Sequence, residues 1–196
     1  MMTRSLVTTV GAATLGGLAV AGCFVAASSP RTTPVADAKA ASAAHRRGEV
    51  HLTAYTNNDG PSQAVIVTGA IGDYGEAVSV HPDGTVDPEH DSQLSLRLSH
   101  GTLRLDTASL DKAFIAAIVH DFPTDAATCS GSVEVTQQVS IVPGSGTGAY
   151  KGVGGSFTLT ATLDEVDKAA AAQPCDGSAA FLSQAIVITG RGSVTF

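Results

Sequence analysis

Bulky aromatic side chains are scarce in this chain, which has no Trp, 3 Tyr and 6 Phe among 196 residues. Basic residues are few as well: 11 Lys and Arg stand against 18 Asp and Glu, for a formal charge of -7. A surface that neutralises phosphates needs the opposite balance, so nucleic acid is not an expected partner. With 3 Cys the chain is no disulfide-dense mini-protein, and its 21 Gly follow no triplet period, which excludes a collagen. Its length suits one domain with a tail.

Long apolar runs are missing too. The stretch from Ser5 to Gly22, uncharged after Arg4, is broken by Gly11, Gly16 and Gly17, and no second run of membrane length follows. A cleaved export signal over 1–22 explains this pattern better than a membrane span. Its end, Val20-Ala21-Gly22-Cys23, resembles a bacterial lipobox, whose Cys takes a diacylglycerol and becomes the new N-terminus. The resemblance implies a lipoprotein acylated at Cys23 and held at the outer, extracytoplasmic face of the cell membrane. Acyl chains gain about 0.8 kcal/mol per buried methylene, so they anchor a protein without a spanning helix. Residues 23–48, rich in Ala, Ser, Thr and Pro, offer no apolar stripe to bury and read as a disordered tether. The folded domain is expected over 49–196.

Assigning Cys23 to lipid leaves Cys129 and Cys175, a natural pair in an oxidising compartment. Closing the loop between them stabilises the fold by about 4 kcal/mol on the chain-entropy model. The rival reading, two thiolates on a metal, lacks neighbouring Cys or His at ligand spacing.

Within the domain, apolar and polar residues alternate with period two, the mark of strands with one buried and one wet face. Phe157, Leu159, Ala161 and Leu163 alternate with Thr158, Thr160 and Thr162. Leu94, Leu96 and Leu98 do the same, as do Leu103 and Leu105 and the set Val133, Val135, Gln137, Val139 and Ile141. Further runs cover 50–56, 63–71, 74–80 and 184–196, the last read as one strand or as two joined at Gly190-Arg191-Gly192. About eight strands with short connections predict an all-β fold, either a closed antiparallel barrel or a β-sandwich. Leu110, Phe114 and Ile118 recur every four residues behind Thr107 or Ser109 as N-cap and predict a short helix over 109–120. Residues 164–173 read as a second helix or a crossing loop.

The densest local signal runs from Gly144 to Gly155. It is not a phosphate loop, because no Ser or Thr follows Lys151 and a strand, not a helix, comes next. A tight connection with glycines at positive φ and Tyr150 packed over the core is expected. Residues 146–155, with Gly146, Gly148, Tyr150, Gly152 and Gly155, resemble the G-(S/T)-G-x-(F/Y)-x-G-x-x-G hairpin of plant allene oxide cyclases and, more loosely, of dirigent proteins. That resemblance implies an eight-stranded antiparallel barrel with an interior cavity for an apolar ligand. Most of the exported part also resembles actinobacterial exported proteins with such a hairpin and a terminal Gly-Ser-Val-Thr-Phe-like strand, which implies no particular reaction. Gly72-Asp73-Tyr74-Gly75 echoes a cyclase tetrapeptide, but it lies far ahead of the hairpin in the chain and reads as coincidence.

Few residues point to chemistry. If Tyr74, Glu76, Val78 and Val80 faced inward, Glu76 would be a carboxylate in an apolar barrel, able to act as acid, base or ligand anchor with Tyr74 beside it. A one-residue slip puts it in water, which is the favoured register. Gln137, on a face of β-branched residues, is either a polar contact in a cavity or a rim residue. His81, Asp83, Asp87, Glu89, His90 and Asp91 match no calcium-loop spacing and read as a solvated hairpin. His120-Asp121 has no nucleophile elbow to serve. No metal and no cofactor are expected, and the oligomeric state is left open. The leading expectation is a lipid-anchored envelope module that binds or carries a small apolar molecule, since apolar inward faces come with few bulky aromatics to fill them. An isomerase or cyclase using Glu76, and a solid adhesive barrel contacting wall polymers, are the alternatives.

Overall fold

The computed structural model describes residues 46–58, 60–86, 92–168, 175 and 180–196. The expected signal, Cys23 and most of the tether lie outside the described residues. Eight strands follow one another: β1 (Arg47–Thr56), β2 (Ser62–Gly69), β3 (Asp73–Val80), β4 (Gln93–Leu98), β5 (Gly101–Asp106), β6 (Ser130–Ile141), β7 (Gly154–Asp167) and β8 (Phe181–Thr195). Each pairs antiparallel with the next, and β8 pairs back onto β1, so the sheet is a closed barrel and not a sandwich. Closure leaves no free edge for another chain to extend. The first strand begins at Arg47, two residues inside the segment expected to be tether.

Alternation sorts the side chains. Leu52, Ala54, Val65, Val67, Leu96, Leu103, Leu105, Phe157 and Leu159 are buried and form one continuous core. Each fully buried Leu contributes about 2 kcal/mol through the apolar surface it removes from water. Threonines occupy the outer face, where Thr136 and Thr160 on β6 and β7 join hydroxyls at 2.8 Å.

Three segments where the sequence left alternatives open, or pointed elsewhere, are decided for physical reasons. Residues 181–195 form a single strand through Gly190 and Gly192. These glycines face the interior, and a Cβ at Gly190 would stand 2.3 Å from the Leu159 side chain, so they make room for core residues and mark no turn. Residues 164–167 continue β7 and form no helix; 169–173 lie outside the described residues. On β3, Tyr74 and Glu76 are exposed while Val78 and Val80, on the same outer face, are buried. The chain after β3 explains this by folding back: Val80 bridges Val86, and Arg104 donates to the Pro82 carbonyl at 2.7 Å.

The helix appears as α1 (Ala108–Asp121) between β5 and β6, with Thr107 at its N-cap. Leu110 joins the barrel core, and Phe114 bridges it to a smaller cluster of Phe122, Val133 and Leu163. Here the barrel is thinnest, because β5 and β6 share only the pairs Leu105↔Ile141 and Asp106↔Ser140. The connection after β6 covers the rest of β5. Val142 N–H donates to Arg104 O, Thr147 N–H to Thr102 O and Ala149 N–H to His100 O. The Ser145 and Thr147 hydroxyls accept from the Arg104 and Thr102 N–H groups at 3.0 Å. This loop satisfies backbone groups that a neighbouring strand would otherwise pair.

Cys129 and Cys175 are joined as a disulfide, with Cα atoms 5.1 Å apart and a sequence separation of 46. No helix among the described residues is long and apolar enough to cross a membrane.

Candidate functional site

The two ends of the barrel are built differently. One end is closed by the glycine-rich connection. Gly144, Gly148, Gly152 and Gly155 have positive φ, and Gly148 is the clearest requirement: its φ is +57° and a Cβ there would stand 2.3 Å from His100 O. The chain can thus fold tightly under β5 and make a single 3-10 turn (Gly148–Tyr150), which delivers Tyr150, 3% exposed, into the core.

Beneath Tyr150 lies Asp73, whose side chain is 1% exposed. Its Oδ1 accepts from Tyr74 N–H at 2.8 Å and from Ser99 Oγ at 2.5 Å. Its Oδ2 accepts from the Tyr150 hydroxyl and from His100 N–H at 3.1 Å, with His100 Nδ1 also at 3.1 Å. Burial alone would raise the pKa of this carboxyl, but the donors from Ser99, Tyr150 and the two backbone N–H groups overcome it and hold the group well below the usual carboxylate range. The same burial, together with the hydrogen bond to Asp73 and its charge, pushes the Tyr150 phenol above its ordinary value.

Ser99, His100 and Asp73 have the composition of a nucleophilic triad without its wiring. Ser99 Oγ gives its proton to the carboxylate and stands 2.9 Å from Nδ1, the same nitrogen that meets Asp73. The imidazole therefore cannot take the serine proton while the aspartate orients it, as that chemistry requires. The cluster is an anchor that ties the starts of β3 and β5 to the glycine-rich connection. The Gly72-Asp73-Tyr74-Gly75 tetrapeptide and the glycine hairpin, far apart in sequence, meet through it across a separation of 77 residues.

The other end is a mouth. Here α1 lies over the strand ends and leaves a recess of about 150 Å3. Leu94, Leu110, Phe114, Ala161, Ile186 and Ile188 line it with apolar surface, and Gln63, Ser79, Thr107 and Asp111 supply polar atoms. Gln63 Oε1 is buried with no hydrogen-bond partner. Cys129, just ahead of β6, and Cys175, in the connection from β7 to β8, join their segments at this same end.

The residues singled out from sequence divide accordingly. Gly146, Gly148, Tyr150, Gly152 and Gly155 build the closed end. Tyr74, 67% exposed, and Glu76 lie on the outer face of β3, away from the interior and the recess. Gln137 is half-buried on β6 between Val135 and Val139, and the recess does not reach it. Asp73 and Gln63 were not anticipated, because nothing local sets apart a polar residue at a strand end. Among the described residues no group of three or more His, Cys, Asp or Glu is placed to hold a metal ion.

No protein-family model matches the chain, and neither a curated protein nor a solved structure matches it.

Proposed function

We propose that the protein is an envelope lipoprotein, anchored through Cys23 at the outer face of the cell membrane, whose barrel binds or carries a small apolar molecule. The single observation that carries the ligand reading is the recess under α1: a concave, mostly apolar surface with a few polar atoms, the usual form of a small-molecule site. The lipobox-like Val20-Ala21-Gly22-Cys23 supports the anchor, and the Cys129–Cys175 disulfide accords with an exported location. The likeness of residues 146–155 to the hairpin of allene oxide cyclases supports a ligand-holding barrel. A Glu76-based isomerase is not retained, since Glu76 and Tyr74 lie exposed on the outer face of β3.

Native mass spectrometry of the protein extracted from its own envelope tests the reading. A small adduct is expected, and it should be absent from an Ile186→Trp variant that fills the recess. Absence of any adduct, together with failure of small apolar probes to bind, would overturn the carrier role.

A second reading, an adhesive module contacting wall polymers, draws on the filled lower interior and on exposed Tyr55, Ile66 and Tyr74 on adjoining strands. Co-sedimentation with isolated cell walls, lost in Tyr74→Ala, would favour it.

A further inference from the structure

We propose that the closed end of the barrel rests on the anionic headgroups of the bilayer that holds Cys23, through Arg46, Arg47 and Lys151, so that the mouth is turned away from the membrane. The inference rests on the lipid anchor and adds how the barrel stands on it. Strand direction comes first. β1, β3, β5 and β7 all start at the closed end, and Arg46 and Arg47 lead into β1 there beside Phe196, with which they line one surface recess. The covalent chain from Cys23 therefore reaches the domain at its closed end. Residues 24–45 span at most about 75 Å when fully extended. That length permits contact and equally permits the barrel to stand off or tip over, so the tether alone does not set the orientation.

Charge decides it. At the closed end Arg46, Arg47 and Lys151 are exposed, opposed by the exposed Glu49 and the Phe196 carboxylate. The other acids there do not add to the opposition: Asp73 is buried among its donors, and Glu76 stands opposite Arg97 in the β3–β4 ladder. The mouth is the reverse, with Asp83, Asp111, Asp121, Asp125, Asp164 and Glu165 set against Lys112 and Lys168. The whole chain is acidic, at -7, yet only charge close to a bilayer acts on it. The screening length is about 8 Å at physiological salt. The 10 residues of β1 rise about 25 Å once the tilt of a barrel strand is allowed for. Acids at the mouth are thus screened from a bilayer touching the closed end, and would be pressed against it in the inverted pose. Each Lys or Arg at an anionic surface adds attraction, and the three at the closed end outnumber the carboxylates beside them.

The chain has no Trp, so one introduced at either end reports alone. Phe196→Trp marks the closed end, and Val119→Trp, at a position 71% exposed on α1, marks the mouth. The chain from Cys23 onward is coupled through that thiol, with the Cys129–Cys175 disulfide intact, to a maleimide lipid in vesicles carrying a trace of dansyl-labelled headgroup. Energy transfer should be several-fold greater from Phe196→Trp than from Val119→Trp on phosphatidylcholine vesicles containing phosphatidylglycerol. That excess should fall by about half or more on phosphatidylcholine alone, in about 1 M salt, where the screening length is about 3 Å, and in the triple variant Arg46→Gln, Arg47→Gln, Lys151→Gln. All three replaced side chains are exposed, and the salt and neutral-lipid arms stand without the variant if it does not fold. An excess that survives all three changes, or greater transfer from Val119→Trp, would overturn the docking of the closed end. Thiol coupling makes this result independent of acylation in the cell, which the mass of the Cys23 peptide from membrane-extracted protein decides separately. An unmodified Cys23 would sink the anchor, and with it the setting of this proposal.

Discussion

The closed end and the mouth of this barrel are locked by different chemistry. At the closed end a buried carboxylate, Asp73, gathers donors from Tyr74, Ser99, His100 and Tyr150, so its strength depends on charge. At the mouth a covalent link between Cys129 and Cys175 joins the segment before β6 to the connection after β7, and polar atoms there include an unsatisfied Gln63 oxygen. The comparison teaches that the end with complete hydrogen bonding is the scaffold, while the end left incomplete and held covalently has room for another molecule.

Disrupting each lock separately sharpens the contrast. Replacing Cys129 and Cys175 together by Ser should cost the largest amount, about 4 kcal/mol for a loop of this length, read as a lowered urea midpoint. Reduction of the parent protein should reproduce the loss. Asp73→Ala should cost about 3 kcal/mol, because the buried Tyr150 hydroxyl and its companion donors lose their acceptor, and this loss should be the same with the disulfide intact or reduced. Acid should act on the closed end through Asp73. Folding depresses the pKa of Asp73, so its contribution is present above the unfolded carboxylate value of about 3.9 and is lost as pH falls below it. Unfolding measured from pH 5 down to pH 2 should therefore steepen for the parent relative to Asp73→Asn; parallel curves would break the assignment. Tyr150→Phe, which removes one donor and keeps the ring, should cost about 1.5 kcal/mol. Gln63→Leu at the mouth should be the smallest change and of opposite sign, a gain of up to about 1 kcal/mol from removing an orphaned acceptor. A loss there would mean that the Gln63 amide is engaged within the protein.

The scaffold was far more legible in the sequence than the mouth. Alternation located every strand because one face of each strand packs on the core, and residues such as Leu94, Leu96 and Leu98 declare that face locally. The Cys129–Cys175 pair followed from counting, and α1 from the fourfold recurrence of Leu110, Phe114 and Ile118. What escaped was non-local. Asp73 looks like any strand-end acid until Ser99, His100 and Tyr150 are brought to it from 26, 27 and 77 residues away. Val78 and Val80 were ambiguous because their burial comes from a loop folding back over the outer face and not from the barrel interior. Gly190 and Gly192 resembled a turn because the sequence does not show that Leu159 and Phe157 occupy the space beside them. Gln63 gives no local signal, because it comes to line the recess only when α1, from elsewhere in the chain, packs over it.

Those two glycines in β8 carry a consequence for traffic. By yielding their side-chain space to Leu159 and Phe157, they let the barrel's bore be stoppered from within, so the barrel is a cup and not a pipe. If the carrier role proposed above holds, a guest under α1 would have to enter and leave on the same side, because the bore behind it is filled.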